Sequence, residues 1–402
     1  MSNSTVIDFI RLLTVEIDLD DYNRICHKSC GDFYIGIELI LQNGVSIEHR
    51  VQALEFAVKH GWIDCVKLLM EYNTDDPSIL TQALAHTGIS ANTKILKLLY
   101  KNGADLQQHV PHLLTGGVHS GNTSFVKYLL DHIDLDYLNN LEYAPLLMAT
   151  KRDNLSMIKL LYKNGADLNI CNNAVLLLSA KNNCMRIVKY LLKKKININS
   201  YNLIGSDEEI KFGSNALVNS CSQGHFTMSK LLLKNGADYH ICDYLALAKS
   251  ICHNHLNIIK LLLKYGSDPN SIFTHTNVIE YLSKKKNTDL LQLLIKSGLN
   301  PGLDDDILLI ECVKADNLKS VKLLLENGSN VNSQNGIVIQ IATMAESYEL
   351  IDLLLDYSYN YDSYVKNAYD YAVQNNLTFI EKIFLEKSNI RKYPIEIYKI
   401  VR

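Results

Sequence analysis

The string KLLYKNGADL occurs at 97–106 and again, letter for letter, at 159–168. Anchoring on the glycine of KNGAD gives equivalents at Gly44, Asn73, Gly103, Ile133, Gly165, Lys195, Gly236, Gly266, Gly298, Gly328, Ser358 and Lys387. The steps are 29, 30, 30, 32, 30, 41, 30, 32, 30, 30 and 29 residues, so twelve units of one kind fill almost all of the 402 residues. A piece of chain this short cannot bury a core alone. Such units are stable only when stacked on their neighbours.

Each unit carries two helical patterns. Five and four residues before the anchor stands a leucine pair, as in Leu98–Leu99, Leu231–Leu232 and Leu323–Leu324, and seven before it Val or Ile, as in Val188 and Ile259. That spacing gives one apolar face on a short helix, helix B. Glycine at seven of the twelve anchors is its stop signal, because a helix commonly ends on a left-handed residue. Ile133, Lys195 and Lys387 break the rule, so those helices must end differently or carry roughly 1–2 kcal/mol of strain. Asp or Asn two residues past the anchor, as in Asp105, Asp167, Asp238, Asp268, Asn300 and Asn330, reads as a turn staple; a catalytic acid is not needed ten times.

Helix A is marked nineteen residues before the anchor by Leu54, Leu84, Leu114, Leu146, Leu176, Leu217, Leu247, Ile279, Leu309 and Ile339. A small residue generally follows three later, as in Ala57, Gly117, Ala149, Ser179, Ser220 and Ser250. Large then small on one face lets helices approach closely.

NALVNSCSQGHFTMSKLLLKNGADYH (215–240) and YLALAKSICHNHLNIIKLLLKYGSDPN (244–270) resemble ankyrin repeats. Leu217, Ser220, Gly224, His225, Leu231, Leu232, Gly236, Ala237 and Asp238 fall on that family's pattern. The Thr-Pro and first His of its helix A signature are absent, and the period is shorter than the family's usual ~33 residues. The resemblance implies an all-α, ankyrin-type solenoid of about twelve helix-turn-helix units over 25–391. The missing residues fall in the family's β-hairpin finger, so shortened fingers and little strand are expected. Residues 1–24 are expected to form an N-terminal cap and 392–402 a C-terminal capping tail. The Asn- and Tyr-rich short-period style resembles the ankyrin families of giant DNA viruses of amoebae.

Other signals are weaker. The 41-residue step places an insertion at 199–214, NSYNLIGSDEEIKFGS, expected as a surface loop. Asp304, Asp305 and Asp306 precede helix A of the tenth unit and are expected to cap its N-terminus. The KKK runs at 193–195 and 284–286 suit helix C-termini and do not interleave with aromatics in the sequence. His240, Cys242, Cys252, His253 and His255 have zinc-like chemistry, but His255 occupies the repeat slot of His225, Trp62 and Cys184, which accounts for it without metal.

The functional expectation is a non-catalytic protein-protein interaction scaffold. No nucleophile elbow, phosphate loop or dinucleotide fingerprint occurs, so no enzyme activity, cofactor or metal is expected. A net charge of −3 gives no general pull toward nucleic acid or membrane, no apolar run is long enough to span a bilayer, and nine scattered cysteines suit a reducing compartment. A monomer in the cytoplasm is expected, with a protein as partner; if the source is viral, these become a host protein and the host-cell cytoplasm. Relative to Leu217, positions −1, +2 and +6 share a face at helical spacing, expected to line a concave surface. Its partner-binding residues are Met148, Asn219, Lys249 and Tyr281 in one row and Arg152, Asn182, Gln223, His253 and Lys285 in the next. The alternative is a substrate adaptor for a ubiquitin ligase, from the tail KYPIEIYKIVR, where Pro394, Glu396, Ile397 and Ile400 resemble the opening of an F-box.

Overall fold

A computed structural model describes residues 33–42, 44–72, 76–139, 145–200, 215–284, 288–358 and 363–387. The expected cap at 1–24, the tail at 392–402 and all but the first two residues of the insertion lie outside the described residues. The chain divides into two compact units, Met1–Asn202 and Leu203–Arg402, with the boundary inside the insertion. The first holds α1 (Phe33–Gln42), α2 (Ile47–His60), α3 (Ile63–Glu71), α4 (Pro77–Ala85), α5 (Thr87–Ser90), α6 (Thr93–Lys101), α7 (Val110–Ser120), α8 (Thr123–Leu130), α9 (Pro145–Lys151), α10 (Leu155–Lys163), α11 (Ile170–Lys181) and α12 (Met185–Lys193). The second holds α13 (Ala216–Ser222), α14 (Phe226–Lys234), α15 (Ile241–Cys252), α16 (Leu256–Tyr265), α17 (Thr276–Lys284), α18 (Thr288–Lys296), α19 (Leu303–Lys314), α20 (Leu318–Glu326), α21 (Ser333–Met344), α22 (Tyr348–Tyr357), α23 (Ser363–Gln374) and α24 (Thr378–Lys387). Among the described residues there is no strand, and within each unit helix A and helix B alternate, with helix A split into α4 and α5 in one repeat, as in an all-α ankyrin-type solenoid.

Helix B ends as its glycine demands. At Gly103 the backbone turns left-handed (φ +98°), its N–H donates to the Tyr100 carbonyl at 3.1 Å, and the Ala104 N–H reaches back to Leu99 at 3.2 Å. This pair of reversed bonds satisfies carbonyls that a helix end leaves orphaned. Gly165 with Ala166 and Gly236 with Ala237 repeat it. The preceding asparagine helps: Asn102, Asn164, Asn235 and Asn327 each donate from the side chain to the carbonyl four residues back at 2.8 Å. Of the three exceptions, Lys195 adopts the left-handed turn (φ +58°) and bears its strain, whereas the buried Ile133 and Lys387, the last residue of α24, stay out of that region.

The turn carboxylates are staples. Asp105 accepts from the Gln107 N–H at 2.9 Å, Asp238 from His240 at 2.8 Å and Asp268 from Asn270 at 2.9 Å. Their own backbone N–H groups are often taken by the preceding repeat. Thr81 accepts from Asp105 at 2.9 Å, Asn139 from Asp167 at 2.8 Å and Asn270 from Asn300 at 2.7 Å.

The capping expectation for the aspartate triplet is corrected. Asp304, Asp305 and Asp306 all lie at positive φ (55°, 52° and 60°), forming a left-handed turn ahead of helix A. No side chain caps that end. Asp306, 4% exposed, instead accepts from the Asn330 N–H of the next repeat at 2.9 Å. Gln334, Asn335 and Gly336 make the same turn one repeat later, and Asn173 and Tyr244 are left-handed at the matching place. These tight turns stand where a finger would project.

Helix A packs through its expected slots. Leu217, Ser220 and Cys221 are fully buried, as are Ala57, Ala149, Ser179 and Ser250 in the small-residue slot. At Gly117 an added Cβ would lie 2.7 Å from the Phe125 ring and 2.8 Å from Val126 of α8, which shows why that slot stays small. The slot before Leu217 is also interior: Ala216, Val175, Leu308 and Val338 are buried. Position −1 therefore belongs to the core and not to the expected exposed face.

Candidate functional site

What remains of helix A for a partner is its last turn. Asn182, Gln223 and His253 occupy the C-cap positions of α11, α13 and α15, and Arg152 directly follows α9. All four are exposed, and Met148, Asn219, Lys249 and Tyr281 one turn earlier are half-buried. The two rows thus have different access. Met148, Arg152 and Asn182 lie in the first compact unit and Asn219, Gln223, Lys249, His253 and Tyr281 in the second, while Lys285 lies outside the described residues.

Arg152 is tied into a larger constellation. Its guanidinium donates to the imidazole of His119, with Nη2 2.6 Å from Nε2. His119 lines a groove of about 530 Å³ with His86, Ile89, His112, Thr115 and Ser120, between α4–α5 and α7. Its floor is backbone. A Cβ at Gly116 would lie 2.0 Å from the Gly88 carbonyl oxygen, and one at Gly88 would lie 2.8 Å from that of His112. Absent side chains at both positions open the surface and bring the helices together.

The walls combine apolar and titratable groups. Ile89 is 63% exposed, an unusual place for a large aliphatic side chain. His86 Nε2 lies 3.7 Å from Glu55 Oε2. Nearby, burial together with the neighbouring His112 and His86 holds the pKa of His109 below the usual histidine value, against the opposing pull of Asp105. The sequence rows named no residue here, although His86 and Gly116 hold the position of Met148 and Asn219 and Ser120 that of Arg152. The signal that could have found them is the density of histidine at His86, His109, His112 and His119.

In the cysteine-histidine segment the contacts of His253 and His255 are those of repeat packing. His255 donates from Nε2 to the Ser222 carbonyl at 3.2 Å, a bond from one repeat to the one before it. The rings of His253 and His255 stack with centroids 5.9 Å apart, and His253 Nδ1 bonds the Lys249 carbonyl at 2.8 Å. Among the described residues no cluster of three or more His, Cys, Asp or Glu could hold a metal ion. Burial pushes the thiols of Cys65 and Cys312 up to about 12 and those of Cys184 and Cys221 up to about 11, so they stay protonated near neutrality and are poor nucleophiles. One sequence reading needs amendment: the KKK run at 193–195 does meet aromatics in space, with Lys194 Nζ 4.7 Å from the Tyr162 ring centroid and 5.7 Å from that of Tyr190. Among the described residues no helix is long and apolar enough to cross a membrane.

A family model for ankyrin repeats (3 copies) matches residues 117–202, 176–272 and 309–393. The chain is similar to the ankyrin repeat and KH domain-containing protein mask-1 of Caenorhabditis elegans, 25% identical over 179 residues, which is 43% of this chain but 6% of that protein. A similar solved structure is the human ASB11 ankyrin repeat domain, at 21% identity, with 46% of this chain and 84% of that chain covered and a TM-score of 0.35. With its repeats, left-handed helix stops and stapled turns, and with the family model covering more than half of its length, the chain belongs to the ankyrin repeat family.

Proposed function

We propose that the chain is a non-catalytic protein-binding scaffold whose partner contacts the last turn of helix A, centred on the groove between α4–α5 and α7. Ankyrin repeats generally mediate protein-protein interaction. The observation that carries the location is the backbone-floored groove, with the exposed Ile89 beside His86, His112 and His119. An apolar anchor ringed by groups that donate and accept hydrogen bonds suits a partner side chain inserted from above. Arg152 extends the surface, and in each unit by itself exposed cap residues, Asn182 in the first and Gln223 and His253 in the second, supply varied chemistry on repeated positions. In this reading the scaffold acts as a monomer without a cofactor.

Affinity capture with quantitative mass spectrometry tests it, comparing the unaltered chain with Ile89→Asp, His119→Ala and Arg152→Ala, and with Lys322→Glu as a control on helix B. The same protein should be lost from all three helix A variants and kept by the control. Retention by all three would remove the groove from the reading. The adaptor alternative rests on Pro394, Glu396, Ile397 and Ile400. Deletion of 392–402 should abolish binding of the ligase's F-box-receptor subunit if that tail recruits it, and unchanged binding would dismiss the idea.

A further inference from the structure

The helix B surface carries its own periodicity. Six residues before the anchor stands lysine in repeat after repeat: Lys67, Lys97, Lys127, Lys159 and Lys189 in the first compact unit, and Lys230, Lys260 and Lys322 in the second. All are exposed. In the first unit some of this charge lies against tyrosine, with Lys97 Nζ 4.9 Å from the Tyr128 ring centroid and Lys159 5.6 Å from that of Tyr190. Cation–π contact of this kind partly satisfies an ammonium.

Between α14 and α16 the situation differs. A groove of about 720 Å³ opens there, lined by Lys230, Lys234, Lys260 and Lys264 together with Phe226 and Leu261. On each helix the two lysines are one turn apart, and neighbouring helices pack roughly 8–10 Å apart, so four ammoniums frame one depression. Among the described residues no carboxylate lies within ion-pair distance of any of them, and the one aromatic contact is Lys230 at 5.9 Å from the Phe226 ring. Phe226 is 39% exposed at the groove wall. The like charges repel one another, and an anionic ligand would relieve that repulsion.

The walls narrow the class of anion. The four lysines stand on helix flanks beyond the first turn, where backbone N–H groups are spent inside the helices, and no arginine occurs between 187 and 390. The directional fork and backbone donors that favour phosphate are therefore missing. Single-stranded nucleic acid stacks its bases on successive aromatic platforms, and of the two rings lining this groove, Phe226 and Tyr265, Tyr265 is half-buried and only Phe226 is exposed. We propose that this groove docks an acidic peptide segment, setting carboxylates against the four lysines and an apolar side chain against Phe226 and Leu261.

The test uses the full chain and fluorescence anisotropy with a labelled peptide of glutamates punctuated by leucines. Binding should weaken severalfold between 50 and 200 mM salt, at least tenfold in Lys230→Glu/Lys260→Glu, and by an intermediate factor in Lys234→Gln/Lys264→Gln. Lys322→Glu should leave it unchanged, and circular dichroism should show all variants equally helical. Affinity within twofold in both double variants overturns the proposal. Equal or tighter binding of a single-stranded RNA oligonucleotide overturns it in favour of nucleic acid. Undiminished binding of a peptide with serine in place of leucine overturns the apolar half of the contact. Helix A variants should not affect this assay, so its failure is separable from failure of the helix A reading.

Discussion

The side-chain amide of Asn122 donates to the carbonyl oxygen of Ala91, 31 residues earlier, at 2.8 Å, while its own oxygen accepts from the N–H groups of Ser124 and Phe125 at 3.1 Å. One side chain thus caps its own helix B and bonds to the preceding repeat. Asn92 does the same toward Gly61 and Asn317 toward Ser283, while Cys184 and His255 keep only the link to the preceding repeat. This slot converts a local sequence choice into stacking, which makes its loss measurable in two places.

Asn122→Ala should lower stability by about 1–2 kcal/mol in urea unfolding, the usual cost of a lost cap plus a lost hydrogen bond. Asn122→Asp keeps the capping acceptor but sets a carboxylate against the Ala91 carbonyl. Hydrogen exchange should then speed up near residue 91 while the first turn of α8 stays protected.

Two glycine substitutions should separate backbone strain from steric conflict. At Gly165 (φ +100°) an added Cβ meets nothing within 4 Å, so Gly165→Ala should cost only about 1–2 kcal/mol. At Gly116 the same methyl would sit 2.0 Å from Gly88 oxygen, and Gly116→Ala should cost more than about 3 kcal/mol and close the adjacent groove. Thermal and urea unfolding of both variants checks the order.

Lys195 pays for its left-handed turn where sister repeats use glycine. Lys195→Gly should therefore raise the unfolding midpoint, with a gain of about 1 kcal/mol less the entropy that glycine returns to the unfolded chain. A fall in the midpoint would show that the lysine stem contributes more than its backbone costs.

The pKa of His109 is held below its ordinary value by burial and by its histidine neighbours. The unfolded chain then binds the proton more readily, so this contribution is present above the ordinary histidine value of about 6.5 and is lost as pH falls through it. Stability should rise between pH 5 and 7.5, and His109→Asn should flatten that rise. The buried thiols give the opposite sign: with Cys65 and Cys312 pushed up to about 12, the unfolded state releases protons first, and stability should decline as pH climbs above about 9. Iodoacetamide should label both only on unfolding.

Much of this architecture could be read in advance because it is set by local rules. The leucine pair, the Gly103 stop and the Asp105 staple each depend on residues within a turn or two, so their spacing carried the information. Two readings failed for want of a third dimension. Position −1 of helix A has helical spacing to the exposed rows, but the packed structure buries it. The aspartate triplet has the composition of a cap, yet its backbone runs left-handed so that Asp306 can serve the next repeat.

The sequence by itself therefore determined the repeat, the helices and the way each ends, because period and stop signals act along the chain. Only the tertiary structure decided which surfaces stay open. The helix A groove exists because Gly88 and Gly116 meet backbone to backbone, and the helix B groove because lysines 30 residues apart on adjacent helices face one depression. Both are properties of what two repeats leave uncovered between them, and no single repeat encodes that.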